Sequence, residues 1–264
     1  IKKSFGNQRN VNSKTEFYNE HYYRLHCLKQ NCLTAMQLKE HYTNMWNNAL
    51  EQFENNAFQY DSLIDSVKDY RFGITLVAKP SPEVEKEIMK MLADLRQTEH
   101  EQYYYPAADQ HVTILSIISC YDGFKLSSIN VEDYIKVIVS SLKNIRSFPI
   151  MFEGITASPS CIMVQGYAGD EMEKIRNNLR YNFKQTSLET SIDKRYQIHT
   201  AHSTVVRFKS PINHGTAYIE KLKQYRNYYF GTTEVQQLEF VFNDWYQRHL
   251  NEHIIAKFEL PLYT

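Results

Sequence analysis

Cysteine is scarce in this 264-residue chain: the four present, Cys27, Cys32, Cys120 and Cys161, are too few and scattered to frame a disulfide-stapled scaffold. A reducing, cytoplasmic setting is therefore the expectation. Cys27 and Cys32 lie five apart on a segment with helical spacing, which turns them to different faces and argues against a metal clip there. Net charge is missing too. Thirty Lys and Arg balance thirty Asp and Glu, so no long-range field gathers polyanions, and non-specific DNA binding or a long duplex partner is not expected. No apolar run approaches the roughly 20 residues that span a bilayer, and the opening stretch IKKSFGNQRNVNSK lacks the hydrophobic segment of a signal peptide, so no membrane partner is expected. Low-complexity segments and short-period repeats are absent as well.

What is present is ordinary core material. Hydrophobic residues make up 42% of the chain and aromatics 14%, with 20 tyrosines that keep a polar handle while covering apolar surface. From Lys14 to Tyr70 there is no proline or glycine, and apolar residues recur with helical spacing, as in Tyr18, Tyr22 and Leu25 or Leu38, Tyr42, Met45 and Ala49. This predicts two or three helices, a helical extension over residues 1–70. After it the texture changes to alternating strands and helices over residues 71–264.

Phe72 to Ala78 reads as a strand, and Ser81-Pro82-Glu83 then supplies an N-cap, a first-turn proline and an acid for the next helix. A strand from His111 to Ile118 and a helix from Val131 to Ile145 follow. Phe148–Thr156 and Cys161–Tyr167 form a hairpin across Ala157-Ser158-Pro159-Ser160. A helix from Asp170 to Phe183, a strand from His202 to Phe208, a helix from Gly215 to about Tyr228 and two closing strands complete the order. Each half holds a strand that opens with histidine, which predicts two similar lobes facing each other.

Side chains at i and i+2 of a strand share a face, so His111 projects with Thr113 and His202 with Thr204. A hydroxyl beside an imidazole suits phosphoryl chemistry, the hydroxyl donating to a non-bridging oxygen while the imidazole moves a proton. In-line cleavage of a phosphodiester needs a base on one side of phosphorus and an acid on the other. Two histidines from opposing lobes meet that need without a metal or other cofactor.

With HVTI at 111–114 and HSTV at 202–205, each fitting a His-x-[Thr/Ser]-x motif, the chain resembles the 2H phosphoesterase superfamily over residues 71–264. The resemblance implies an α/β (α+β) bilobal fold with two antiparallel-sheet lobes around a central cleft. It also implies catalytic roles for His111 and His202 and phosphate-binding roles for Thr113 and Thr204. The helical extension is not part of that family's minimal core.

Other residues are read more plainly. Tyr105, in Tyr103-Tyr104-Tyr105-Pro106, sits on a loop ahead of the first motif, where an exposed ring stacks on a nucleobase. Arg207 has the opposite strand parity from His202 and Thr204 and is expected to face away from the cleft. Asp109 is expected to be a loop-end cap, with orientation of His111 as its alternative role. Trp245 and Tyr246 are expected to be packing residues. His199 with His202 and His249 with His253 have chelating spacings, yet neither pair falls on a helical segment, so no metal site is expected.

The reaction expected is hydrolysis of a 2′,3′-cyclic, 2′-5′-linked or cyclic di- or oligonucleotide phosphodiester, with a nucleotide or short oligonucleotide as partner and a monomer as the oligomeric state. The alternative is a binding module that holds a cyclic nucleotide or RNA end without turnover and signals through its helical extension.

Overall fold

The computed structural model describes residues 35–262; the helical periodicity read around Tyr18, Tyr22 and Leu25, and Cys27 and Cys32, lie outside them. Among the described residues, nine strands form two antiparallel sheets. The first has the order β3-β1-β8-β9, where β1 is Arg71–Ala78, β3 Val112–Asp122, β8 Gln237–Asp244 and β9 His253–Glu259. The second has the order β2-β6-β5-β4-β7, where β2 is Tyr103–Tyr104, β4 Phe148–Ser158, β5 Cys161–Ala168, β6 Ser203–Arg207 and β7 Tyr229–Val235. The two-sheet α/β architecture read from the sequence is the one observed, with β2 and β7 as additions. β7 escapes a sequence reading because only Gln236 separates it from β8 and its outward positions are polar or glycine.

Among the described residues, five α-helices cover the sheets: α1 (Ala35–Glu54), α2 (Pro82–Thr98), α3 (Val131–Ser141), α4 (Asp170–Lys184) and α5 (Gly215–Gln224). Ser81 caps α2 as expected, its hydroxyl accepting from Val84 N, and Val84, Ile88, Met91, Leu92 and Leu95 form the buried stripe. α2 packs on β7 and α5 of the second sheet, while α3 and α4 pack on each other and reach β9 and β3 of the first. α3 ends at Ser141, short of the expected Ile145, and Asn144 then takes the left-handed conformation at φ 63° that reverses the chain. None of the helices among the described residues is long and apolar enough to cross a membrane.

α1 is the described part of the extension. It buries Leu38, Tyr42, Trp46, Ala49 and Phe53 on one stripe against β4 and β5. Thr204 is paired with Met163, and Met163 with Thr156, so all three share a face of the second sheet. Because the Thr156 hydroxyl donates to Tyr42 O, α1 lies on that same face, beside the second motif. Residues 57–70 are not helical, contrary to expectation. Their backbone is instead drawn to the sheet end, with Gln59 N donating to Pro159 O and Asp61 N to Phe208 O.

One glycine is required where these parts meet. The Tyr42 hydroxyl donates to Gly166 O at 3.0 Å, and a Cβ on Gly166 would overlap the carbonyl oxygen of Ala201, the residue before His202. Gly166→Ala is expected to cost about 1–3 kcal/mol through forced backbone displacement. A urea titration showing an unchanged midpoint would contradict this.

Candidate active site

Both motif histidines sit immediately before their strands, and both line a single cleft between the two sheets that encloses about 980 Å³ of atom-free space, open solvent at its mouth included. Thr113 and Thr204 line it with them. His111 is 9% exposed, and its Nδ1 lies 2.7 Å from the carbonyl oxygen of Asp109. In the neutral ring that contact places the proton on Nδ1 and leaves Nε2 to accept one. His202 Nδ1 lies 2.7 Å from the Thr200 hydroxyl, which can donate or accept.

Burial, the largest effect, pushes both imidazoles down to about 4, partly offset at His111 by the Asp109 carbonyl. Arg176 and then His111 itself come next in holding His202 down, so the two rings sense each other across the cleft. Two neutral imidazoles therefore face the cleft at pH 7. Asp109 acts through its backbone; its carboxylate, 2% exposed as a residue, accepts from the Tyr103 hydroxyl and from N and Nδ1 of His249. It caps a distant turn, the one that holds His249, rather than the end of its own loop.

Arg207 overturns its sequence reading. Cys161 and Ile162 pair with Arg207 and Val206, but Met163 pairs with Thr204, so Val205 is an extra residue in β6. This bulge buries Val205 and Val206 together and returns Arg207 to the face of Thr204, where it lines the cleft. Strict alternation fails at one residue, and the guanidinium moves from outside to inside. Tyr105 is also corrected: it is 1% exposed rather than presented at the rim, and its hydroxyl accepts from Arg207 Nε at 3.0 Å. It lines the cleft as a support for Arg207.

Arg176 was not singled out by the sequence reading. On α4, 1% exposed, it donates from Nε to Ile114 O at 2.9 Å and from one terminal nitrogen to Thr113 O at 3.2 Å and Thr200 O at 2.7 Å. β3 is an edge strand, so Arg176 satisfies carbonyls on its open side while holding the segment that leads into His202. The signal was available: Arg176 falls within the apolar stripe of Met172, Ile175, Leu179 and Phe183, where an arginine needs buried acceptors.

The remaining expectations divide. Tyr246 is buried and Trp245 half-buried, and both line the cleft. His249 lies in a turn and His253 opens β9, and no group of three or more His, Cys, Asp or Glu side chains among the described residues is disposed to hold a metal ion.

No protein-family model and no curated protein matches the sequence. Solved structures do share the architecture. TT0787 of Thermus thermophilus matches with a TM-score of 0.50 at 14% identity, over 73% of this chain and 100% of its own. LigT of E. coli, complexed with 3′-AMP, matches with a TM-score of 0.51 at 10% identity, over 72% of this chain and 98% of its own. At these identities the likeness is one of fold, and with two antiparallel sheets closing on one cleft the chain has the bilobal 2H phosphoesterase fold.

Proposed function

We propose that this chain is a phosphodiesterase that cleaves a nucleotide phosphodiester by metal-independent acid–base catalysis between His111 and His202. The observation that carries the reading is their position on opposite walls of one cleft, each with Nδ1 engaged behind it. One imidazole takes the proton from the attacking oxygen; the other delivers a proton to the leaving oxygen on the far side of phosphorus. Thr113, Thr204 and the guanidinium of Arg207 bind the non-bridging oxygens and stabilise their growing charge. A nucleotide-sized occupant is consistent with the 3′-AMP held by LigT.

The test is hydrolysis of a panel of 2′,3′-cyclic, 2′-5′-linked and cyclic dinucleotides in excess EDTA. Turnover abolished by EDTA sinks the metal-free scheme. Binding of these compounds without hydrolysis turns the reading to a binding module. That second reading has one observation in its favour: the cleft holds both imidazoles neutral, so the acid form is missing at rest.

A pH profile separates them. Each folded-state pKa, about 4, lies below the ordinary 6.5, so the neutral form is favoured above that value. Catalysis needs one proton restored, and an anionic phosphate between the rings raises their proton affinity. Log kcat/KM, which reports the free enzyme, is then expected to fall with a slope approaching −1 as pH rises from about 5 to 8. Phosphate binding at pH 7, measured by calorimetry in two buffers, is expected to take up protons. A flat profile and no uptake contradict the acid–base scheme.

A further inference from the structure

His249 takes no part in the chemistry proposed for the cleft, yet it stands directly behind the first motif. The turn that carries it joins β8 to β9, and the two ends of that turn face different ways. Trp245, Tyr246 and Gln247 line the cleft, whereas His249 does not. His249 and Glu252 instead reach the segment just ahead of His111, a single 3₁₀ turn at Ala107–Asp109 and the Lys79 side chain that braces it.

His111 depends on that segment for its orientation. The pairing of β1 with β3 ends at Ala78 with Val112, so Gln110 and His111 lie beyond the sheet ladder. Two consecutive carbonyls ahead of them are claimed: Ala108 O accepts from Lys79 Nζ at 3.3 Å, and Asp109 O lies 2.7 Å from His111 Nδ1. The Asp109 peptide is fixed in turn by its own side chain. Oδ1 accepts from His249 N at 2.9 Å and from His249 Nδ1 at 2.6 Å, and Oδ2 accepts from the Tyr103 hydroxyl at 3.1 Å. A carboxylate only 3% exposed needs such donors. The turn that supplies two of them is itself braced, because the Asp244 carboxylate accepts from the backbone N–H groups of Tyr246 and Arg248, from Arg248 Nε and from Asn251 Nδ2. Its grip on Asp109 is therefore rigid.

We infer that His249 is a positioning residue for His111: by holding the Asp109 carboxylate it sets the Asp109 carbonyl where Nδ1–H must donate to it, which keeps the Nε2 lone pair aimed into the cleft. An imidazole whose Nδ1 loses that acceptor is free to take the other tautomer, in which Nε2 carries the proton and can no longer accept one. The effect on rate rests on the proposed two-histidine scheme; the effect on the ring does not. Because His249 does not line the cleft, its loss should spare substrate binding and fall on turnover.

Two readouts test this in the full chain, comparing the wild type with His249→Ala and with His249→Asn, whose side-chain amide offers an N–H near the position of Nδ1. With 47% of its side chain exposed, His249 can be replaced without opening the core. The first readout is the imidazole nitrogen NMR spectrum at pH 7 without substrate, the His111 signals being identified by their loss in His111→Ala. The wild type should hold His111 as the Nδ1–H tautomer, His249→Ala should mix in the Nε2–H form while the His202 signals stay in place, and His249→Asn should restore the wild-type pattern. The second is kinetic: on the fastest-cleaved member of the nucleotide panel, kcat should fall about 10- to 100-fold in His249→Ala with KM nearly unchanged, and His249→Asn should recover most of it. An unchanged His111 tautomer in His249→Ala, or a kcat within about twofold of wild type, overturns the inference while the phosphodiesterase reading stands. Equal disturbance of the His111 and His202 signals marks a general structural role and overturns it too. If the wild type cleaves no member of the panel, the phosphodiesterase reading fails and the tautomer alone decides.

Discussion

His202→Ala is expected to lower turnover by about 10²- to 10⁴-fold, and His111→Ala by a similar factor, because in the proposed scheme each substitution removes one of the two proton-transfer groups. The double variant should be little worse than either single one, since both rings serve one step. Thr113→Val and Thr204→Val, which in the same scheme remove hydrogen bonds to the phosphate rather than a proton carrier, should cost less. Near-normal turnover by His202→Ala on a hydrolysed substrate would show the two-histidine scheme to be wrong.

Stability supplies an independent check on the same residues. A histidine held at about 4 in the folded chain and near 6.5 when unfolded binds more protons in the unfolded state between those values. Folding stability is then lost as pH falls from about 6.5 to 4. Either alanine variant should lose less over that window, measured by urea denaturation at pH 7 and pH 5. The fold is thus less stable in acid because burial disfavours the protonated form of both imidazoles in the folded chain.

The parts of this site that the sequence discloses are those governed by local rules. The motif histidines, the Ser81-Pro82 helix start and the hairpin through Pro159 each follow from residues adjacent in the chain. The parts it conceals depend on register. Nothing in His202-Ser203-Thr204-Val205-Val206-Arg207 announces that Val205 is a bulge, because two consecutive buried valines also fit a strand covered on both faces. The cleft-lining hydroxyls of Thr113, Ser116 and Ser119 on β3 are concealed for the same reason, since register shifts against β1 make Ile114 and Ile117 extra residues that return each hydroxyl to the cleft. That α2 follows β1 of the first sheet yet packs on β7 of the second has no local signature at all.

Arg176→Met is the substitution with the largest expected effect on stability. It preserves much of the side chain's volume, so the loss is polar: the carbonyls of Thr113, Ile114 and Thr200 lose a charged donor in a buried setting, and Glu173, 8% exposed, loses a cation. Removing one partner of such a buried network costs about 3–5 kcal/mol. Lysine should rescue only part of this, since an ammonium cannot reproduce a planar fork reaching carbonyls in two segments. A purely structural residue would stop there, but Arg176 has an electrical readout as well. Its charge helps hold the His202 imidazole down, so its removal should move the pH dependence of kcat/KM upward in the fraction that remains folded. The turnover number should fall with it as the two motifs lose their common anchor. A variant with wild-type midpoint, turnover and pH profile would show that the spacing of the two histidines is set elsewhere.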